Sequence, residues 1–586
     1  RDYKVTGVQT CALPISPSFG IGIAPEQLAA INALNPEDLL RYAPATIVRK
    51  RYAGDPNATL SFRNMHSQQT PRALVTVDGF PISNFLGADW DTAPKWGVLA
   101  PDDIARVEII YGPTSARYSG NSMGGTMRIE TRPIDQTAVR LALQAFGQHY
   151  RYYATDEKLF GWSADVGLDL ATGDRGGLAF SYRRFRNRGQ PMEWRMVGAG
   201  TPYAAQAIVD PELPFLRIAA QDSVVDATED QLRLRGHHDL GGNWKLHGLA
   251  ALLLSRDDML HPESFLRDGA GRPTFVGIAG VTAGLARKSE LLAGIGIAGD
   301  LAGWDVALDY SRFDTLQNRT RTSDPYDLLT GARPASGLQA DMEAAWQNVD
   351  AVAERRLGAH ALALGLSGAR YTVDSHSWLS SDWAAGRRGS LRDAASGHTR
   401  LFGAFVEDAI TLGHGLTATF GLRFEQWRAS SGSLTNGGDT VHYPLRTASA
   451  WSPKLALGFE PDEHSRITAS VARATRFPTV RELYQPGLVR YGADRGALDL
   501  NGFDPDLAPE RAVDVQLTAM RRFGQVHLTI DGYRQDVRDT IFAQSIAVPD
   551  AVSGNLVQQS LLTNIGRVRS WGADVVVSAE QLLVPG

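Results

Sequence analysis

The sequence predicts an all-β transmembrane barrel of antiparallel strands, preceded by a small N-terminal α+β domain. Three observations carry this prediction. From about residue 137 onward, apolar and polar residues alternate along one segment after another. The connections between these segments are alternately short and long. Residues 17–134 instead contain short β-forming runs broken by turns, so they form a separate unit that ends near Pro133.

The alternation is clear between residues 416 and 425. Phe420, Leu422 and Phe424 are apolar, and the polar or small residues Gly421 and Arg423 lie between them. Successive side chains of a strand point to opposite faces, so one face suits lipid and the other suits a polar lumen. A half-buried sheet of a soluble protein would also alternate. That alternative weakens here because the pattern recurs about sixteen times, as in a barrel.

The order of the connections favours a membrane barrel over a soluble sandwich. Bacterial outer-membrane barrels have short periplasmic turns and longer extracellular loops, and a soluble sandwich has no reason to keep that order. The short connections lie near 172–175, 239–242, 300–303, 358, 413–415, 461–464 and 523–524, and the long ones near 189–225, 257–286, 316–341, 373–396, 429–447, 477–510 and 537–560.

Composition excludes several other classes of protein. The 586 residues carry a formal net charge of -5 without a basic block, so nucleic acid is not an implied partner. No apolar run approaches the roughly 18 residues that a membrane helix needs, which excludes a helical membrane protein. The mean hydropathy of -0.20 still suits a barrel, because alternating strands average to neutral hydropathy.

The N-terminal unit is built around three turns, each of which follows or precedes a short apolar strand. The first is an Asp-Gly turn, in which glycine accepts a positive φ. A Gly-Pro pair closes a second strand, and a Gly-Gly pair permits a tight reversal before a third. Taken alone, these features fit any small α+β domain. The residues that define them are Asp78, Gly79, Glu108, Gly112, Pro113, Gly124 and Gly125.

In order and spacing, these motifs resemble the plug domain of TonB-dependent outer-membrane receptors. The family pattern is a strand ending in Val-Asp-Gly, an Ile-x-Arg-Val-Glu strand, a Gly-Pro turn and a Gly-Gly turn. Residues 472–484 and 504–511 also resemble barrel motifs of that family. The resemblance implies a plug at 17–134 inside a barrel that begins at 135, with about 22 strands in the family. It also implies the outer membrane of a Gram-negative bacterium.

The resemblance implies a transporter and not an enzyme. The expected function is active import of a scarce ligand across the outer membrane, with energy from TonB at the inner membrane. An iron–siderophore complex is the first expected ligand, and cobalamin or another metal chelate is the alternative. A passive porin-like or structural barrel is the alternative class. Ion conductance separates the two classes, because a porin conducts openly and a plugged receptor barely does.

The residues themselves predict no catalytic constellation, cofactor or metal site. Gly294-x-Gly296-x-x-Gly299 matches the dinucleotide fingerprint by letter, but it runs into a short turn instead of a helix. His237 and His238 are neighbours on a predicted strand, so their rings point to opposite faces and do not converge on one ion.

The resemblance also suggests where plug and barrel meet. Arg63 lies where the family has an Arg-Gly pair, and Glu482 and Glu510 lie on the matching barrel motifs. We therefore expect charge-assisted hydrogen bonds between Arg63 and one of these glutamates. Ordinary polarity of the lumen is the alternative. Asn64 and Tyr111 depart from the family pattern, which has Gly and Arg at those positions.

Four aromatic residues mark a candidate ligand-binding apex of the plug. They are Phe80, Phe85, Trp90 and Trp96, beside a few charged residues. Aromatic rings with scattered charges suit an amphipathic ligand such as a siderophore. The alternative is that the same rings pack against the barrel wall.

The two ends of the sequence suggest a fragment. Residues 1–16 resemble a translated sequencing adapter and contain Cys11, the single cysteine, so no disulfide is predicted. If about 16 of the family's 22 strands are present, C-terminal strands are missing. Unpaired strand edges are costly in hydrocarbon, so we expect an arc or gapped barrel with the plug partly uncovered, which would not fold stably in a membrane.

Overall fold

The computed structural model describes residues 19–63, 71–484, 504–549 and 556–579. The adapter-like segment 1–16 and Asn64 lie outside these residues. The N-terminal unit, here called the plug, contains strands β1 (Gly20–Ile23), β2 (Thr46–Arg49), β3 (Thr59–Phe62), β4 (Ala73–Val77), β5 (Phe80–Pro81), β6 (Ile104–Tyr111) and β7 (Gly125–Thr131), helix α1 (Pro25–Ala29), and 3-10 helices at Pro36–Leu40, Trp90–Thr92, Trp96–Val98, Pro101–Asp103 and Gly120–Ser122.

Five of the plug strands form one sheet, in the order β1-β6-β7-β4-β5. Strands β4 and β7 are parallel, and the other neighbours are antiparallel. Strands β2 and β3 form a separate two-stranded sheet. Both β3 and β4 are buried along their whole length, because the plug packs against the barrel wall as well as against itself.

The motif residues of the plug hold this sheet together. The Asp78 carboxylate accepts hydrogen bonds from the backbone N–H of Thr131 (2.9 Å) and from its hydroxyl (2.7 Å), which joins the β4–β5 turn to the end of β7. Glu108 of β6 accepts a hydrogen bond from Arg128, its register partner on β7, at 2.9 Å. The backbone N–H of Gly112 donates to the carbonyl oxygen of Gly124 at 3.1 Å, so the two predicted turns meet.

The barrel and its connections contain the remaining strands. They are β8 (Ala138–Tyr152), β9 (Thr155–Ala171), β10 (Gly176–Gly189), β11 (Trp194–Gly198), β12 (Ile208–Val209), β13 (Leu216–Gln221), β14 (Val225–Gly241), β15 (Trp244–Met259), β16 (Glu263–Ser264), β17 (Gly284–Leu301), β18 (Trp304–Ser323), β19 (Gly337–Leu357), β20 (His360–Asp382), β21 (Arg387–Gly413), β22 (Leu416–Asn436), β23 (Asp439–His442), β24 (Arg446–Asp462), β25 (Ser465–Arg476), β26 (Glu510–Phe523), β27 (Val526–Pro549) and β28 (Leu556–Ala579). Helix α2 (Val480–Tyr484) follows β25.

Sixteen of these strands are long, and they form a closed antiparallel ring around the plug. The expectation of an arc or gapped barrel is therefore wrong. Because sixteen is even, the last strand, β28, runs antiparallel to the first, β8, and can lie beside it. Among the described residues, the plug strands pair with one another and not with the ring, as expected for a plug inside a barrel.

The seam between β28 and β8 differs from the rest of the ring. Within the described residues, an extended register joins every other pair of neighbouring long strands, whereas β28 and β8 meet without one. Their outward apolar residues are also more exposed: Leu141 is 67% exposed and Val575 64%, against 38% for Leu422 and 48% for Val515. An outward side chain is covered more completely when a closely paired strand lies on each side of its own strand.

The predicted alternation appears as alternating burial along the strands. In β26, residues facing the plug are buried while Val513, Val515 and Leu517 are exposed on the outer face. The outer face is thus apolar, as a lipid-facing surface requires. No helix within the described ranges is long and apolar enough to cross a membrane.

Some predicted loops are partly strand. The connection expected at 373–396 is mostly a hairpin, because β20 and β21 continue to a turn at residues 383–386. The connections after β10, β15 and β18 instead pack together. The first two supply the strands of a small sheet of β11, β12, β13 and β16, and the third supplies Tyr326 to its apolar core, which also includes Ala219, Leu266 and Ile278.

Candidate functional site

The plug chain between β6 and β7 reaches the barrel wall, and wall side chains bind its backbone. Peptide N–H and carbonyl groups of residues 111–123 are the partners. The wall–plug pairs are Gln516 with the carbonyl oxygen of Tyr111 (3.0 Å), Lys454 with that of Pro113, Glu407 with the N–H of Ala116 (2.6 Å), Arg423 with the carbonyl oxygen of Arg117 (3.2 Å), Glu425 with the N–H of Gly120 (3.1 Å) and Gln535 with the carbonyl oxygen of Met123 (2.9 Å). Most of these are charge-assisted hydrogen bonds, so the contact is strong for its size.

Two glycines allow this close approach. Gly112 has a φ of 77°, which side-chain-bearing residues rarely adopt, and a Cβ there would overlap the amide nitrogen of Gln516. At Gly120, a Cβ would overlap the backbone carbonyl oxygen of Thr475 on the wall. The wall backbone cannot move away as a flexible side chain can, so only glycine fits at position 120.

The substitution Gly120→Ala is expected to weaken docking of the plug by about 1–3 kcal/mol, because the new methyl group overpacks against the wall. The measurement is the urea midpoint of plug unfolding in detergent, followed by tryptophan fluorescence. Gly438→Ala is the matched control, since a Cβ at Gly438 meets open space. Equal midpoints for the two variants would contradict the expected close packing.

A buried ion network joins the start of β4 to the wall. The Arg72 guanidinium of the plug donates to Glu510 (3.0 Å from Nε), and Arg476 of the wall donates to the same carboxylate (2.6 Å). Arg476 also binds Glu482 of α2 through two hydrogen bonds of 2.9 and 3.0 Å. The N–H of Ile541 donates to Glu510 at 2.7 Å. All four charged side chains are at most 3% exposed.

Arg63 has partners other than the predicted ones. Its guanidinium pairs with Asp531 of β27 and lies 3.5 Å from Asp574 of β28, and it covers the ring of Tyr533 at 4.1 Å. The expected pairing of Arg63 with Glu482 or Glu510 is therefore wrong in its partners. The plug arginine that binds Glu510 is Arg72, while Glu482 pairs with an arginine of the barrel itself.

A third plug–barrel contact surrounds Asp103, which is 1% exposed. Three wall arginines approach its carboxylate: Arg140 at 3.4 Å, Arg233 at 3.3 Å and Arg235 at 3.5 Å. Burial alone would raise the pKa of Asp103, but these arginines lower it below its ordinary value. The sequence offered no signal for this cluster, because an aspartate before a strand is common.

Three of the four aromatic residues predicted at the apex are buried, and they pack within the plug or between the plug and the wall. Phe80 packs on the ring of His247 (5.2 Å between centroids), and Phe85 packs edge-on against Tyr371 (6.3 Å). The Nε1–H of Trp96 donates to the carbonyl oxygen of Ala58 at 2.9 Å. Their exposures are 4% or less. They follow the alternative interpretation, in which the rings pack against the plug and the wall.

Trp90 lies at the edge of a cavity of about 540 Å³ between the plug apex, the wall and α2. Within the described residues, neither its Nε1–H nor the hydroxyl of Tyr484, which also lines the cavity, has a hydrogen-bond partner. Four cationic and four acidic side chains line the same space, namely Arg51, Lys288, Arg392, Arg481, Asp91, Asp257, Asp341 and Asp393.

Helix α2 closes one side of this cavity and binds the plug apex. The backbone N–H of Arg481 donates to the carbonyl oxygen of Leu86 at 2.9 Å. Its guanidinium lies 3.0 Å from both Asp89 and Asp91. Burial opposes ionisation of Asp91, but Arg481 nevertheless lowers its pKa below the ordinary value. A loop of the barrel thus contacts the cavity and the plug at the same time.

Two family models match the chain. One, described as "TonB dependent receptor-like, beta-barrel", matches residues 161–583, and one described as "TonB-dependent Receptor Plug Domain" matches residues 20–126. Both the predicted fold class and the predicted family are thereby confirmed. The proteins of this family are receptors and transporters, not enzymes, and their barrels lie in the outer membrane.

Named relatives agree with this assignment. The ferrienterobactin receptor of Escherichia coli (strain K12) is 23% identical over 540 residues, which cover 86% of this chain and 65% of that receptor. The probable TonB-dependent siderophore receptor PirA of Acinetobacter baumannii is 21% identical over 515 residues, covering 83% and 61% of the two chains. The chain thus spans less than two thirds of the length of the curated relatives it matches.

Solved structures share the fold. The copper transporter OprC superposes with a TM-score of 0.66 at 15% identity, covering 98% of this chain and 78% of OprC. At such an identity the likeness concerns the fold alone. The barrel model covers well over half of the chain, and the plug model precedes it in the expected order. The chain therefore belongs to the TonB-dependent receptor family.

Proposed function

We propose that this chain is part of a receptor that imports an iron–siderophore complex across the outer membrane, with energy supplied by TonB. The observation that carries the proposal is the cavity of about 540 Å³ at the plug apex, on the side of the long loops. Relatives named as receptors for ferrienterobactin and other siderophores support an iron chelate as the cargo. Cobalamin or another metal chelate remains the alternative ligand.

The lining of the cavity suits a polar chelate that also carries rings or apolar surface. Arg481, Lys288 and Arg392 offer charge-assisted hydrogen bonds to anionic oxygens. Trp90 and Tyr484 also line the cavity, and the Nε1–H of the first and the hydroxyl of the second lack protein partners within the described residues. Buried polar atoms without partners are uncommon in proteins, so a bound ligand that satisfied them would gain affinity.

The contacts between plug and wall support import in preference to passive flow. A passive pore needs an open lumen, whereas here the plug is held by three charged clusters, around Glu510, Asp531 and Asp103. Separating the partners of a buried ion pair costs several kcal/mol, because each charge is left without its counter-charge. An energy-coupled partner in the periplasm would therefore be required to open a path.

Trp90→Ala and Lys288→Gln are each expected to weaken binding of the cognate ferric siderophore about tenfold, as loss of one strong polar or ring contact does. The measurement is isothermal titration of the purified protein in detergent with a panel of ferric siderophores and cobalamin. Trp90 and Lys288 both line the cavity, so each variant removes a contact without touching the buried plug–wall clusters.

The control for Trp90→Ala is Trp451→Ala, because Trp451 is 57% exposed on the outer face of the barrel. Lys245→Gln, at an exposed position on β15, is the control for Lys288→Gln. If cobalamin binds and none of the ferric siderophores does, cobalamin takes the place of the iron–siderophore complex as the proposed ligand. Wild-type affinity in both cavity variants would overturn this cavity as the binding site.

A further inference from the structure

The outer face of β9 marks the position of the membrane. Outward residues from Phe160 to Leu170 are apolar without interruption, and these residues include Trp162, Val166 and Leu168. From Phe160 to Leu170 the strand rises by ten residues, each about 3.4 Å. With a tilt of about 40° from the barrel axis, this corresponds to roughly 26 Å across the membrane, close to the height of the apolar band of a transmembrane barrel. Phe160, nearest the long-loop end, therefore marks the extracellular edge of that band.

Three arginines of the neighbouring strand lie inside this band. Arg184, Arg186 and Arg188 are successive outward residues of β10, and all three are exposed. By register, Arg184 is level with Ala164 and Arg186 with Trp162. The three side chains therefore lie within roughly the outermost 10 Å of the apolar band, on the lipid side of the wall.

The cations of this surface are incompletely neutralised. Arg184 lies 3.7 Å from Asp230, and Arg186 lies 3.6 Å from Asp226. Within the described residues, Arg188 forms no ion pair, and neither does Lys158, the outward residue two positions beyond Phe160 on β9. Asp156 lies on the same outward face, where it pairs with Arg151 at 3.4 Å. Counting this pair, five cations of the lysine and arginine type face three carboxylates, so an excess of positive charge remains.

Charged side chains on the lipid face of a barrel are costly unless they reach the interface or find a partner there. An arginine can extend its head toward the headgroups while its stem stays in the apolar region. Its planar guanidinium then suits the oxygen atoms of a phosphate. Four cations clustered at the extracellular edge therefore call for an anionic group located in the membrane itself.

We propose that the outward surface formed by Arg184, Arg186, Arg188 and Lys158 binds the phosphorylated sugar headgroup of an outer-leaflet glycolipid, with its acyl chains along the rings of Phe160 and Trp162. The position at the long-loop end selects the outer leaflet. The apolar band directly below accommodates acyl chains, which a free phosphate lacks. This surface faces away from the lumen, so the inference does not depend on the imported ligand.

The test is native mass spectrometry of the full chain, refolded in detergent and titrated with bis-phosphorylated lipid A. Wild type is expected to retain the glycolipid, and R184Q/R186Q/R188Q to bind it at least about tenfold more weakly. The control is R312Q/D314N, which removes an outward arginine together with its own ion-pair partner on β18. This control is expected to bind like wild type.

Further arms separate the sources of the phosphate. Monophosphorylated lipid A is expected to bind more weakly than the bis-phosphorylated form, and phosphatidylglycerol and inorganic phosphate are expected not to compete. Equal competition by either of the last two would overturn the proposal, as would wild-type retention in the triple variant. If the triple variant fails to show a heat-modifiable folded band, R188Q alone, which breaks no ion pair, takes its place with the same expected direction.

Discussion

Replacing Glu510 by Gln is expected to cost about 3–5 kcal/mol of plug–barrel stability, because it leaves a buried cation without its counter-charge. Arg476 keeps its two hydrogen bonds to Glu482, so Arg72 is the residue that loses its carboxylate. Burial already lowers the pKa of Arg72, which reflects how unfavourable its environment is to an unpaired charge. The measurement is the urea midpoint of plug unfolding in detergent.

Glu354→Gln is the matched control for this variant. Glu354 also pairs a wall strand with a plug arginine, Arg117, at 2.8 Å, but the two side chains are 45% and 37% exposed. Exposed pairs contribute about 0–1 kcal/mol, so its midpoint is expected to stay close to that of wild type. Similar midpoints for the two variants would show that burial of the Glu510 network contributes nothing to docking.

Asp103→Asn is expected to weaken a second plug–barrel contact, with a loss of about 3 kcal/mol or more. Arg140 and Arg233 keep partners, because Arg140 binds Asp169 and Arg233 binds Asp165. Arg235 retains a hydrogen bond to the carbonyl oxygen of Arg132 but no carboxylate among the described residues. Increased protease cleavage of the plug, while the barrel keeps its heat-modifiable migration, is the expected readout.

The neighbouring residue provides the control for this second variant. Asp102 has the same side chain one position earlier, and it is exposed. Asp102→Asn is therefore expected to leave plug cleavage unchanged. If both variants are cleaved as fast as each other, loss of a negative charge anywhere in this turn would explain the effect, and the ion cluster would not.

The architecture followed from local pattern because inside-outside alternation is a property of each strand by itself. The sixteen strands and the separate plug sheet were recognisable in this way, and so were the turns around Asp78 and Gly112. Closure of the ring was misjudged. It depends on the parity of the strand number and on the tilt of the ring, neither of which any single segment records.

The plug–wall partners were less accessible from sequence than the fold. Arg72 and Glu510 are 438 positions apart, and Arg63 and Asp531 are 468 apart. Their pairing depends on the rotation of the plug inside the barrel, and many inward charges satisfy the alternation equally well. One feature of the sequence does point to plug–wall contacts. A charged side chain that faces a plug-filled lumen needs a partner on the plug, and Glu407 and Glu425 are examples.

The wall binds peptide groups in the segment 111–123, and every amino acid supplies a peptide group. These hydrogen bonds therefore do not depend on which side chains the segment carries, although packing still constrains buried ones such as Ala116 and Met123, and close approach constrains the two glycines. The number of residues in the segment, by contrast, is strongly constrained. A single inserted residue would displace each later N–H and carbonyl from its wall partner, so deletions and insertions should be far rarer here than substitutions.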